Sequence, residues 1–215
     1  MSARDAIPAL TTGATPALGL RALFVHQASD LYGSDRVLHD IVLALKAAGG
    51  EPIVVLPRGG ALVDVLRAHG IETHAVTPLQ VLKLTRRAMS PRGLIELAAS
   101  VRTALRTLDT IVAGRRIDFV HTNTLAVLAG ALWARRRGVN HVWHVHEIVE
   151  HPRPAAWLFP RLVARWADLV ICNSNATRDW LIGAQPVLAA RSHVVWNGIE
   201  AAPSRYEAEP EAALC

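Results

Sequence analysis

The sequence has two cysteines and two lysines among its 215 residues. It has no apolar run long enough to span a bilayer. Cys172 sits in an apolar run and Cys215 is the last residue, so a disulfide between them is not expected. That usage fits a reducing compartment, and a domain of this size needs no covalent staple. Residues 1–20 lack a basic start followed by an apolar stretch, so no secretory signal is expected there. The Gly-x-Gly-x-x-Gly fingerprint is missing, which disfavours a dinucleotide site. There is no internal repeat.

The shortage of lysine leaves arginine with 21 of the 23 basic residues, in a chain of net charge +5 and pI near 10. A plain reading is an arginine-rich composition. A phosphate-bearing ligand or an anionic membrane is another. Basic and aromatic residues do not interleave and no reading motif is present, so nucleic acid is not an expected partner.

What is present is alternation. Short apolar runs alternate with amphipathic stretches, the pattern of a parallel sheet covered by helices. Strands are expected at 21–26, 52–56, 71–76, 117–121, 141–145, 168–172 and 193–196. The first helix is expected at 35–48, where Val37, Leu38, Ile41, Val42 and Leu45 follow helical spacing. A short helix carries Leu62, Val65 and Leu66 on one face. Ser90-Pro91 starts a helix running to about Ala113. Further helices are expected at 125–137, at 152–166 with a bend at Pro160, and from Ser174 to Gly183. The expected fold class is α/β, a doubly wound and mostly parallel, Rossmann-like sheet. Residues 1–20 read as a flexible arm, 21–200 as the domain, and 201–215 as a disordered tail or interdomain linker.

In such a sheet, ligands bind beyond the carboxyl ends of the strands. Gly33, Ser34 and Asp35 precede the first helix, where a close backbone approach and free N–H groups suit a phosphate. They equally suit a simple turn with Ser34 or Asp35 as the cap. His146 ends the fifth expected strand and can exchange a proton with a hydroxyl near neutral pH. Glu147 can orient it or contact sugar hydroxyls. His144, on the same face, is expected to be a packed core residue with a satisfied hydrogen bond. His141 faces the other way, so the row of histidines does not converge on a metal. Asn123, Thr124, Asn173, Ser174, Asn175 and Asn197 are polar residues near strand ends, most of them also natural helix caps. The basic, amphipathic stretch with Lys83, Arg86, Arg87 and Arg92 suits an anionic membrane, a lipid-linked phosphate or plain solvent.

In order, these pieces resemble the N-terminal half of family 4-like glycosyltransferases with the two-domain GT-B fold. The resemblance is carried by Leu23-Phe24-Val25-His26, Gly33-Ser34-Asp35-Arg36-Val37-Leu38 and Leu62…Leu66-Arg67 with Gly70-Ile71. It continues through Asp118-Phe119-Val120-His121-Thr122-Asn123, Trp143-His144-Val145-His146-Glu147 and Ala167-Asp168-Leu169-Val170-Ile171-Cys172-Asn173-Ser174. Val194-Val195-Trp196-Asn197-Gly198-Ile199 closes it, so residues 21–200 are covered.

The resemblance implies transfer of a sugar, of hexosyltransferase type, from a nucleotide sugar to a glycan or lipid-linked acceptor, usually without a metal. No cofactor is expected beyond that co-substrate. It implies that Gly33 and Ser34 approach the donor diphosphate and that His146 is the catalytic residue in the cleft. Asp35, Asn123, Glu147, Ser174 and Asn197 are its acceptor-binding or cleft candidates. Ser34 stands where relatives commonly have a second glycine. The second GT-B domain, which holds the nucleotide sugar, finds no match in the 215 residues. The expectation is therefore an acceptor-side half working with a C-terminal half on another chain, or a truncated enzyme. The alternative is a non-catalytic carbohydrate- or phosphate-binding module. A cytoplasmic location is expected, with peripheral contact at the inner membrane face as its variant.

Overall fold

The computed structural model describes residues 19–77, Leu79 and residues 90–197. Most of the N-terminal arm, Gly198, the tail, and Lys83, Arg86 and Arg87 lie outside the described residues. Strand and helix alternate: β1 (Arg21–His26), α1 (Ser34–Ala47), β2 (Glu51–Leu56), α2 (Ala61–Ala68), β3 (Glu72–Ala75), α3 (Pro91–Val112) and β4 (Phe119–Asn123). There follow α4 (Ala129–Arg137), β5 (Asn140–Val145), α5 (Arg153–Trp166), β6 (Leu169–Cys172), α6 (Asn175–Ala184), a 3-10 turn at Pro186–Arg191, and β7 (Ser192–Val194).

All seven strands are parallel, in the order β3-β2-β1-β4-β5-β6-β7. β1 is the pivot: the chain builds outward to β3, returns across the sheet along α3, and builds outward again from β4. Right-handed crossovers in opposite directions must fall on opposite faces. Accordingly α1 and α2 bury Leu38, Val42, Leu62 and Leu66 against Ala22, Phe24, Val54 and Leu56. On the other face α3 and α4 cover Leu23, Val25, Ile53, Val55 and Val120. α5 and α6 cover Trp143, Val145, Val170 and Cys172 there. The central strands are buried on both faces, which is why they read as apolar runs without alternation.

Several boundaries differ from the sequence reading. β4 is displaced two residues toward Asn123, because Thr122 and Asn123 are polar yet fully buried and paired. α4 starts at Ala129 rather than 125, after a turn through Leu125 and Ala126. Val63, not Val65, joins Leu62 and Leu66 in the core face of α2. Gly183 lies inside α6 rather than ending it, and α5 runs through Pro160. Ser90 caps α3 as expected, its Oγ accepting the N–H of Gly93 at 3.1 Å. No helix among the described residues is long and apolar enough to cross a membrane.

Candidate functional site

The strand order reverses between β1 and β4, so the crevice at their carboxyl ends is the natural ligand position in this fold. Register delivers a row of polar side chains to it. His26 pairs with Asn123, and Asn123 with His144, across three adjacent strands. Facing residues on parallel neighbours share a face, and His146 follows two residues after His144 on that same face.

The row is connected. His26 Nε2 lies 2.6 Å from Asp35 Oδ1, and its Nδ1 lies 3.1 Å from both the side-chain nitrogen and the backbone oxygen of Asn123. Asn123 Nδ2 donates to the carbonyl of Ser34 at 3.0 Å, and Asn123 Oδ1 lies 2.9 Å from His146 Nε2. His144 stacks beside His146, and the ring of His121 meets His144 edge-on at 5.6 Å.

Two loops frame the row. At the start of α1, Gly33 has φ 47°, a left-handed backbone that suits a residue without a side chain. Behind this loop, Gly60 packs so tightly that a Cβ there would lie 2.4 Å from the carbonyl oxygen of Ser29. At the end of β4, Thr124 has φ 86°, strained for a β-branched residue, yet it is buried. Two hydrogen bonds hold it: its N–H donates to His144 O at 2.8 Å, and its carbonyl accepts Trp143 Nε1–H at 2.9 Å. Strain of this kind gathers at functional sites.

Burial favours the neutral form of His121, His144 and His146 near pH 7. Burial, with some repulsion from His26, pushes His146 down to about 4. Burial, then His146 and His121, pushes His144 down to about 2. Burial and the neighbouring histidines hold His121 at about 3. For Asp35, burial acts to raise the pKa, but the His26 hydrogen bond and charge and the N–H groups of Asp30 and Leu31 outweigh it, and the carboxyl stays below its ordinary value. Glu147 goes the other way. Burial raises it more than the N–H groups of Leu125 and His146 lower it.

The sequence candidates thus separate. His146, Asn123, Ser34 and Asp35 come together at the switch point, with Gly33 exposed beside them. Asp35, expected in the cleft, is buried with both oxygens occupied; it acts behind the site, on His26. Glu147 closes the turn after β4 and β5. Ser174 caps α6, its Oγ accepting the N–H of Thr177 at 3.2 Å. Asn173 reaches the site's edge by donating to His146 O at 3.2 Å. Asn197 is exposed beyond β7, three strands from β4. His144 is buried as expected, but neither ring nitrogen has a hydrogen-bond partner. His26 closes the first strand of the resemblance, but the sequence assigns it no role and gives no sign of its pairing with Asp35. Among the described residues no group of three His, Cys, Asp or Glu is arranged to hold a metal.

A family model described as Glycosyltransferase Family 4 matches residues 32–202. No curated protein sequence matches. Among solved structures, Anabaena Alr3699/HepE in complex with UDP is 24% identical, with a TM-score of 0.60 over 84% of this chain and 44% of that one. A UDP-N-acetylglucosamine 2-epimerase is 19% identical, with a TM-score of 0.55 over 82% of this chain and 48% of that one. The epimerase from Neisseria meningitidis bound to UDP-GlcNAc is 13% identical, with a TM-score of 0.55 over 81% and 45%. At these identities the likeness shows the fold alone. The chain spans less than half the length of each.

Proposed function

As the chain belongs to glycosyltransferase family 4, we propose that it is the acceptor-side half of an enzyme moving a hexose from a nucleotide sugar to a hydroxyl-bearing acceptor. The observation that carries this reading is the meeting of His146 with the start of α1 through Asn123. The start of a helix suits a diphosphate. A neutral imidazole, one side-chain amide away, suits a sugar hydroxyl. The complexes of structural neighbours with UDP and UDP-glucose make a uridine nucleotide sugar the first donor to try. The proposed chemistry draws on that co-substrate and no resident cofactor.

The reading extends to an acceptor at the inner face of an anionic membrane, in a cytoplasmic protein. The first turns of α3 leave Leu94 and Ile95 exposed at 55% and 70%. The basic residues Lys83, Arg86 and Arg87 precede them in sequence. Apolar residues beside arginine and lysine are what such a surface binds.

Saturation-transfer NMR on the 215-residue chain tests the reading. Glycan ring protons should receive saturation, and do so less when His146 is replaced by alanine. UDP-glucose should receive little. No transfer to any carbohydrate would sink the proposal. Adding labelled UDP-glucose and an extract of the source cells separates an enzyme half from a binding module. Label moving onto an extract component in a chain-dependent way marks the enzyme.

A further inference from the structure

The hydrogen bonds at the switch point determine more than proximity. The carbonyl of Ser34 can only accept, so the Asn123 atom facing it at 3.0 Å must be the amide nitrogen. That fixes the side-chain amide, whose two orientations are otherwise interchangeable. Its oxygen is then the atom 2.9 Å from His146 Nε2. An amide oxygen donates nothing, so the hydrogen in that contact belongs to Nε2.

The other side of the amide meets the ring of His26. Asp35 is ionised and accepts from Asp30 and Leu31 through Oδ2. Its Oδ1 therefore receives the His26 Nε2 hydrogen across 2.6 Å. The His26 Nδ1 lies 3.1 Å from both the backbone oxygen and the amide nitrogen of Asn123, so the ring packs directly against that amide. The Ser34 carbonyl anchors the amide nitrogen, and the His26 ring, tied to Asp35, braces the side chain, so the amide oxygen is held toward His146.

We infer that Asp35, His26 and Asn123 form a positioning relay that holds His146 as its Nε2–H tautomer, leaving Nδ1 as the acceptor for a ligand hydroxyl. Among the described residues the His146 ring makes no other hydrogen bond. This rests on the reading of His146 as the cleft residue and deepens it. A ring bare at Nδ1 receives a hydrogen from an alcohol and repels a phosphate oxygen. The site then separates two duties that one histidine cannot perform together. The α1 start faces the anion, and His146 faces the polyol. The carbonyl of Ser34 couples them, because it belongs to the loop proposed for the phosphate and also anchors the amide that sets the tautomer.

The test needs no substrate. In chain labelled with nitrogen-15 at histidine, two-bond nitrogen–proton correlations near pH 7 report which ring nitrogen carries the hydrogen. A His146→Gln variant assigns the signals. The expected result is a single His146 tautomer with a visible, slowly exchanging Nε2–H. In Asn123→Ala that hydrogen should exchange roughly tenfold faster, the weight of one hydrogen bond. A wild-type His146 protonated at Nδ1 overturns the relay, whether or not the variant folds. Equal protection of Nε2–H in a folded Asn123→Ala chain overturns it as well. Failure of glycan binding with the expected tautomer intact would strike the proposed function and spare the relay.

Discussion

His144 stacks on His146 with ring centroids 4.1 Å apart and planes at 33°, while both of its own nitrogens stay buried and unpartnered. A buried polar group left without a partner costs ~1–3 kcal/mol. His144→Leu keeps the packing and removes that cost. It should stabilise the chain by about 1 kcal/mol in urea unfolding and weaken glycan binding, since His146 loses the ring against which it lies. A destabilised variant would mean that an unseen partner satisfies His144.

The buried rings make the fold acid-sensitive. His121 and His144 titrate near 3 and 2 when folded, and His141 and His146 near 4, against 6.5 for an ordinary histidine. Below that ordinary value the unfolded chain binds more protons than the folded one, so stability falls as pH falls. Each pH unit costs about 1.4 kcal/mol per ring, against total stabilities of about 5–15 kcal/mol for a domain. Unfolding is expected as pH drops through the window from about 6.5 to about 4. The Asp35 and Glu72 carboxylates, held below their ordinary values, lose their contribution only at still lower pH. Urea midpoints that do not move between about pH 7 and pH 5 would contradict this.

Two adjacent glycines separate close approach from chain flexibility. A Cβ at Gly60 would press on the backbone of Ser29, whereas at Gly59 it would meet nothing within 4 Å. Gly60→Ala should destabilise by ~1–3 kcal/mol and displace the loop before α1. Gly59→Ala should be nearly neutral. Equal chemical-denaturation midpoints for the two variants would show that the loop yields freely.

His146→Ala should leave the fold intact, because the ring sits at a strand end and is only half-buried. In a chain reconstituted with a donor-binding half, transfer should fall by at least ~100-fold, the usual weight of a positioned proton-transfer group. Near-normal turnover would remove His146 from the chemistry.

If the acceptor lies at a membrane, the exposed turns of α3 should touch it. Leu94→Glu with Ile95→Glu should cut sedimentation with phosphatidylglycerol vesicles by roughly tenfold, since both acid and lost apolar area oppose insertion. Unchanged binding would place the contact elsewhere.

The sheet was legible because burial on both faces leaves unbroken apolar runs, and β1 was placed residue for residue. β4 was displaced because its last two residues, Thr122 and Asn123, are polar. Their pairing with His141 and with His26, Ser34 and His146 leaves no periodic mark. His146 could be found from its position at a strand end. The pair of His26 and Asp35 could not, because a nine-residue spacing set by a loop follows neither helical nor strand period. Nor does composition tell a satisfied buried histidine from an orphaned one such as His144.

The residues that meet across the central strands, His26 and Asn123, stand 97 positions apart in the chain. β1, β2 and β3 leave the ribosome well before β4, so three of the seven strands can assemble while the rest are still being made. The longest loop closure in the sheet is the one that seats β4, with Asn123, beside β1 and His26. Until then β1 presents a bare edge whose amides and carbonyls have no neighbour, a template for any stray strand. A chain stalled at that stage would carry no site at all and would be the form most prone to aggregate.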